Sequence, residues 1–228
     1  MKLIRFIFAL GLTLTFFFYL NTKQGKVPPL GSFLSPFSGF WQNGETDALD
    51  IPKSLTSSKL KAPVRIKFDD HLIPHIYAEN DYDLYFAQGY VTAYHRLWQM
   101  EFQVLAAAGR TAEIVGERQL DFDRIQRRKG LLYGAKRSLE AASMDPAVLN
   151  MIQAYTDGIN YWIDQLDYQD LPIEYKLLDY EPEYWTNLKV MLLLKNMADM
   201  LSIGENDLEN TNALHVFGLD DFNKLFPE

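Results

Sequence analysis

The run from Asn80 to Gly109 constrains the fold of this chain more than any other feature. Asn80 or Asp81 can cap a helix. From Tyr82 to Ala108, the residues Leu84, Ala87, Val91, Trp98, Leu105 and Ala108 recur near one stripe of helical period. Gly109 is a natural stop. A helix of that length sets a mainly helical fold, and the sequence beyond it repeats the pattern.

A second helix is predicted from Asp121 to Ala142, carrying Arg124, Arg127, Arg128, Lys129, Lys136 and Arg137. A third has Asp145 as cap and Pro146 in its first turn, where proline is favoured. Its apolar positions include Val148, Ile152, Tyr155, Ile159, Trp162 and Ile163. A fourth runs from Thr186 to Leu201. Its Val190–Leu194 core is apolar on every side, which predicts burial all round. A last helical segment covers Asp207 to Val216, with Gly218 as its end. Ahead of the helices, Val64, Ile66 and Phe68 alternate with Arg65 and Lys67 as in a half-buried strand. Asp69-Asp70-His71 makes a turn, and Leu72 to Tyr77 returns as a second strand broken by Pro74. The expected fold class is mainly α with a short N-terminal β-hairpin.

The N-terminus bears on location. Lys2 and Arg5 precede an uncharged apolar run of 15 residues, Phe6 to Leu20. As a helix it spans ~22 Å, short of a ~30 Å hydrocarbon core. That suits the apolar segment of a signal peptide. Tyr19-Leu20-Asn21-Thr22 offers no small-x-small cleavage site, so an uncleaved membrane anchor stands beside it. Either way the chain is expected to be exported, to a periplasm or to the outer face of the cytoplasmic membrane. Residues 21–62, with Pro28, Pro29, Pro36 and Pro52, are predicted as a linker. Its aromatics Phe33, Phe37, Phe40 and Trp41 are expected to pack on the folded body, residues 63–228.

Composition removes several functions. Thirty acids against 22 bases give a net charge of −8, which argues against nucleic acid as a partner. With no cysteine there are no disulfides, thiolate–zinc sites or cysteine nucleophile. Hydrophobic residues at 48% are ample for a core.

Candidate chemistry is sparse. His71 and His75 are four apart, but Pro74 between them defeats a helical metal pair. Ser202 follows the apolar helix and reads as a cap of the next one. The basic face of the second helix reads as solvated, because Asp121, Asp123 and Glu140 share it. The stretch NMADMLSIGENDLEN, residues 196–210, holds Asp199, Glu205, Asp207 and Glu209. Its hard oxygens supply part of a calcium shell, which needs six to eight. Carboxylates at a helix N-terminus are also favoured by the macrodipole without an ion.

Several motifs coincide with a known family. Pro74-His75-Ile76 with Ala78 is followed by Asp83, Ala87, Gly89, Tyr90 and Ala93. Then come Arg96-Leu97-Trp98-Gln99-Met100 and Gly109-Arg110 with Ala112, Glu113 and Gly116. Later matches are Asp123-Arg124, Tyr155 with Gly158 and Asn160, Leu171-Pro172 with Glu174, and Pro182 with Trp185-Thr186. From about residue 62 onward the chain resembles the N-terminal region of penicillin acylases, which are N-terminal-nucleophile hydrolases. The resemblance implies the α-chain portion of an αββα architecture, incomplete without a β chain. It implies a precursor that cuts itself, with the catalytic serine and its oxyanion partners on the β chain. No catalytic residue is therefore expected here.

In that family the α chain gives a wall of the acyl pocket and one calcium ligand. Met197-Ala198-Asp199-Met200-Leu201-Ser202 lies over the family's pocket segment without a gap. The pocket methionine and phenylalanine then correspond to Met197 and Leu201, and the family's arginine becomes Met200. The calcium carboxylate falls at Asp207 without a gap, or at Glu209 with a two-residue shift. Glu209 is favoured because Glu209, Ala213 and Leu214 repeat a pattern of relatives. The resemblance implies an N-acyl amide substrate, such as a β-lactam side chain or an acyl-homoserine lactone. A competing expectation is a membrane-anchored helical binding module without catalysis.

Overall fold

A computed structural model describes residues 2–44, 54–55, 57–202 and 207–226. The elements run α1 (Lys2–Leu20), α2 (Leu30–Phe33), β1 (Ser54–Leu55), β2 (Val64–Phe68), β3 (Pro74–Tyr77) and α3 (Asp81–Ala108). They continue α4 (Ala112–Val115), α5 (Leu120–Lys129), α6 (Leu131–Ala142), α7 (Pro146–Ile163), α8 (Ile173–Leu178), α9 (Asn187–Leu201) and α10 (Asp207–Leu225). The predicted hairpin is present with one addition. A short β1 pairs antiparallel with β2, giving the sheet order β1-β2-β3. Val64 and Ile66 face inward and Arg65 and Lys67 outward, as the alternation required.

The long helix is capped as expected: the Asn80 side chain accepts a hydrogen bond from the Asp83 amide, and Gly109 ends it. It is not straight. Arg96 leaves helical geometry at φ −144°, ψ 24°, a break the periodicity did not signal. Its inward face is buried through Phe86, Ala87, Ala93, Leu97, Met100, Val104 and Leu105. Leu84, placed on the stripe by sequence, is exposed.

The predicted second helix is two. Gly130, at φ 76°, ends α5 and starts α6. Only glycine enters that left-handed region without a steric cost, and the amphipathic pattern on either side hid the break. Helix α7 matches its prediction: Asp145 accepts from the Ala147 amide, with Pro146 in the first turn.

Helix α9 corrects a prediction. Met191, Leu192 and Asn196 are buried, but Leu194 is 58% exposed. Val190 and Leu193 are half-buried and pack on the core beside Met191 and Leu192, so the body covers this stretch except at Leu194. Ser202 also differs: its hydroxyl donates to the Asp199 carbonyl at 2.8 Å and closes α9 rather than opening α10. Helix α10 continues past the predicted stop, with a break at Gly218.

The segment after α1 is tied to the body. Lys176, 1% exposed, donates to the carbonyls of Gly39 (3.1 Å) and Gln169 (2.8 Å) and to Asn43 Oδ1 (2.8 Å). Asn43 in turn donates to the Leu171 carbonyl at 2.9 Å. Phe33 and Phe40 stack at 5.2 Å and are half-buried, whereas Phe37 and Trp41 stay exposed, against expectation. The segment supplies acceptors to Lys176 of the body, but its two outer rings find no such seat.

Candidate functional site

Helix α9 is positioned by a polar network at its N-terminal end. Thr186 caps it. Just before the cap, Glu183 pairs with Arg110 (2.7 Å) and with Lys189 in the first turn of α9 (2.9 Å). The Arg110 guanidinium, with Lys189, holds the Glu183 carboxyl down at about 2. Glu183 also donates its amide to Glu101 Oε1 at 2.7 Å, and Tyr175 donates its hydroxyl to Glu101 Oε2. Glu101 is 1% exposed on α3, and burial pushes its carboxyl up despite those two donors.

Arg110 itself rests on a second buried acid. Asp123 accepts from the Thr111 amide (3.0 Å), the Thr111 hydroxyl (2.6 Å) and the Ala112 amide (2.7 Å). Burial alone would raise this carboxyl, but the hydrogen bonds, led by the Thr111 hydroxyl, hold it below the usual range. Arg127 then donates to the Gly109 carbonyl at 2.8 Å. The Gly109-Arg110 turn is thus built by α5 and hands its guanidinium to the strand-like lead-in of α9.

At the other end, Lys129 pairs with Asp199 at 2.8 Å and fixes α9 to the end of α5. One of the four carboxylates in the acidic stretch is therefore neutralised within the chain. Between these anchors, Leu194, Met197 and Leu201 recur at helical spacing on one open stripe, with Met200 beside it. Their exposures are 58%, 44%, 72% and 65%. This surface is apolar, and one helix with its other face locked supplies it. It can bind an apolar group or a partner; it offers no acid, base or nucleophile.

The remaining sequence candidates fall as follows. Asp207 and Glu209 sit in the first turn of α10, exposed to solvent. Glu205 lies outside the described residues. Among the described residues no group of three or more histidine or acidic side chains comes together as for a metal. His75 Nε2 lies 3.4 Å from Asp69 Oδ2 across the hairpin turn, a local contact between two side chains. The basic face of α5 and α6 is paired in part, Arg124 with Asp121 and Arg137 with Glu140. Sequence reasoning did not single out Glu101, Glu183 or Lys176. For Glu101 the signal was available: it falls one turn after Leu97 and one before Leu105, on the buried stripe, where a carboxylate needs partners.

Two of the family's motif residues, Asp83 and Asn160, hold this body together. Asp83 is 0% exposed and accepts from the Lys61 and Ala62 amides, binding the chain before β2 to α3. Asn160 exchanges hydrogen bonds with the Trp185 backbone (3.0 and 2.7 Å), locking the approach to α9. The family model described as penicillin amidase matches residues 63–228. The chain belongs to the penicillin amidase family. It is 30% identical to penicillin G acylase of Escherichia coli over 155 residues, 66% of this chain and 18% of that protein. It is 35% identical to the penicillin acylase 2 proenzyme of a Pseudomonas species (strain SE83), over 75% of this chain and 22% of that protein. An acyl-homoserine lactone acylase, QuiP of Pseudomonas syringae pv. syringae, is 32% identical over 84% of this chain and 23% of its own length. Among solved structures, a thermostable penicillin G acylase from Alcaligenes faecalis superimposes with a TM-score of 0.58 at 25% identity. That match covers 72% of this chain and 88% of the other. The mainly helical architecture with a short sheet is that of a penicillin amidase α-chain region in an N-terminal-nucleophile hydrolase. The chain spans about a fifth of the length of the curated relatives it matches.

Proposed function

We propose that the full protein is an acylase that hydrolyses N-acyl amides, of the β-lactam side-chain or acyl-homoserine lactone type. Catalysis is nucleophilic, through an acyl-enzyme. The attacking serine begins a second, β-chain polypeptide of the same precursor. The protein is exported, to a periplasm or to the outer face of the cytoplasmic membrane.

The observation that carries this reading is the open stripe of Leu194, Met197 and Leu201 with Met200. In a helix whose other face is locked by Lys129 and Glu183, such a stripe has one physical use: to be covered by apolar atoms. Met197, Met200 and Leu201 form one wall for the acyl group, and the β chain closes the rest. All three are apolar, so the wall accepts an aryl-acetyl or fatty-acyl chain and discriminates by its length.

A calcium ion shared with the β chain belongs to the same reading. Asp207 or Glu209, with Glu209 favoured, gives it a hard carboxylate oxygen. Two carboxylates cannot fill a shell of six to eight donors, so the remaining oxygens come from other segments. When bound, the ion ties the start of α10 to the partner chain and adds stability by mass action.

The test is hydrolysis by the full-length protein of an N-acyl amide series running from phenylacetyl to long fatty acyl. Leu201→Phe and Met197→Ala are expected to change the kcat/KM ratio between short and long acyl groups by about tenfold. No hydrolysis of any member, or unchanged ratios in both variants, overturns the proposal.

A further inference from the structure

Helix α1 is 19 residues long, with a mean hydropathy of 2.0 and none of it buried. At 1.5 Å per residue it is ~28 Å long, of which the uncharged run from Phe6 to Leu20 makes ~22 Å and the turn holding Lys2 and Arg5 reaches towards the headgroups. The chain beyond it is not a loose tether. Only Asn21 and Thr22 separate Leu20 from Lys23. Lys23 Nζ donates to the Leu178 carbonyl at 2.9 Å and pairs with the Asp179 carboxylate at 3.3 Å. Lys23 thereby caps the C-terminal end of α8, where a cation is favoured. Asn21, the first residue after α1, donates to the Phe17 carbonyl and packs its side chain on Gly31 in α2. Farther on, the buried Lys176 of α8 grips Gly39 and Asn43 of the same segment. Residues 21–44 are a collar docked on α8, and the collar starts where α1 ends.

The collar and α8 also carry exposed apolar side chains that this body does not use. Phe37 is 84% exposed, Trp41 51% and Leu34 48%. On α8, Ile173 and Leu177 are 42% and 51% exposed, one turn apart on a stripe beside Lys176. A tryptophan next to a spanning helix is what a membrane–water interface selects, and phenylalanine and leucine beside it suit the headgroup–acyl boundary.

We propose that α1 stays on the protein as a membrane anchor and that the collar with α8 forms a lipid-facing surface beside it. The Lys23 clamp sets the body against the bilayer at one orientation. Lys2 and Arg5 lie before the apolar run, so the amino terminus stays in the cytoplasm and the body lies outside. Lys23, on the outer side, has its charge met by Asp179. A removable signal would leave the chain starting inside the collar, with the Lys23 clamp near a free end. The bilayer is the occupant because the surface follows directly on a helix whose side chains from Phe6 to Tyr19 are exposed and carry no charge.

The test uses the full-length protein expressed with its own N-terminus. The mature protein is expected to yield a peptide from residues 1–20 by mass spectrometry and to stay in membranes washed at high pH. In vesicles of zwitterionic lipid brominated near the headgroup, its tryptophan emission is expected to be quenched, with most of the quenching lost in Trp41→Phe. A mature N-terminus beyond residue 20, release by the wash, or equal quenching in Trp41→Phe overturns the proposal. Amide hydrolysis measured on the same sample is independent of each of these readouts, so failure of the acylase reading is seen separately.

Discussion

Gly89 of α3 and Gly158 of α7 face each other's helices so closely that neither position has room for a methyl group. A Cβ on Gly89 would overlap the Tyr155 carbonyl oxygen, and one on Gly158 would overlap the Phe86 carbonyl oxygen. The two helices cross backbone to backbone, and the crossing brings Phe86, Tyr90, Tyr161 and Trp162 into one aromatic layer. Because α9 packs on both α3 and α7, this crossing also sets the platform for the apolar stripe. Gly89→Ala and Gly158→Ala are each expected to destabilise the protein by about 2–3 kcal/mol, the usual cost of overpacking. The obstacle is backbone, which cannot swing aside as a side chain does. Urea denaturation measures it; a loss below about 0.5 kcal/mol in both variants would show that the helices separate freely.

Asp123 is the carboxylate on which the Gly109-Arg110 turn is folded. Replacing it with alanine strands two amides and a hydroxyl that all donate to it. A loss of roughly 3 kcal/mol is expected. Its pKa is lowered in the folded protein, so its stabilisation is full above the unfolded value of ~3.9 and is lost as pH falls below it. Asp123→Asn keeps one acceptor and cannot ionise. The stability gap between the native protein and Asp123→Asn should therefore close as the pH is lowered from 5 towards 3. A gap that is constant across that range would mean the charge contributes nothing.

The helices, the hairpin and the caps at Asn80 and Asp145 were legible because each rests on local chemistry: a period, a capping oxygen, a proline at the first turn. The breaks were less so. Gly130 lies inside a run that is amphipathic on both sides, and Arg96 leaves helical geometry without a proline or glycine to announce it. The buried acids show the same limit. Asp83 and Asp123 could be read as capping or surface residues until the amides of distant segments were seen on them. For α9, the apolar composition was visible but not its division into a locked and an open face, since that depends on which neighbours this body supplies. The identities of Met197, Met200 and Leu201 as an acyl wall came from resemblance alone; helical spacing places them together but says nothing of a ligand.

Glu101 makes an opposite pH prediction. Its carboxyl is raised in the folded protein, chiefly by burial, so its contribution is most favourable below the unfolded value of ~4.3 and declines as pH rises through the folded value. Glu101→Gln removes the titration while keeping an oxygen for the Glu183 amide. The melting temperature of the native protein relative to Glu101→Gln is expected to fall between pH 4 and pH 7. A relative rise over that interval would show that the Tyr175 hydroxyl and the Glu183 amide outweigh the burial.

The apolar stripe on α9 makes a prediction that does not depend on substrate. Leu194 and Leu201 are exposed, two turns apart, on the one face that α3, α6 and α7 leave open. If a β chain covers this face, Leu194→Ser and Leu201→Ser each remove apolar area from an interface rather than from a free surface. The full-length protein should then lose roughly 1–3 kcal/mol of stability per substitution, well above the ~0.5 kcal/mol expected of a surface change. The same substitutions in residues 21–228 purified alone should instead reduce binding of a hydrophobic dye without lowering the melting temperature. Losses within ~0.5 kcal/mol in the full-length protein would mean that the stripe stays open to solvent after assembly, and would remove the surface on which an acyl wall could be closed.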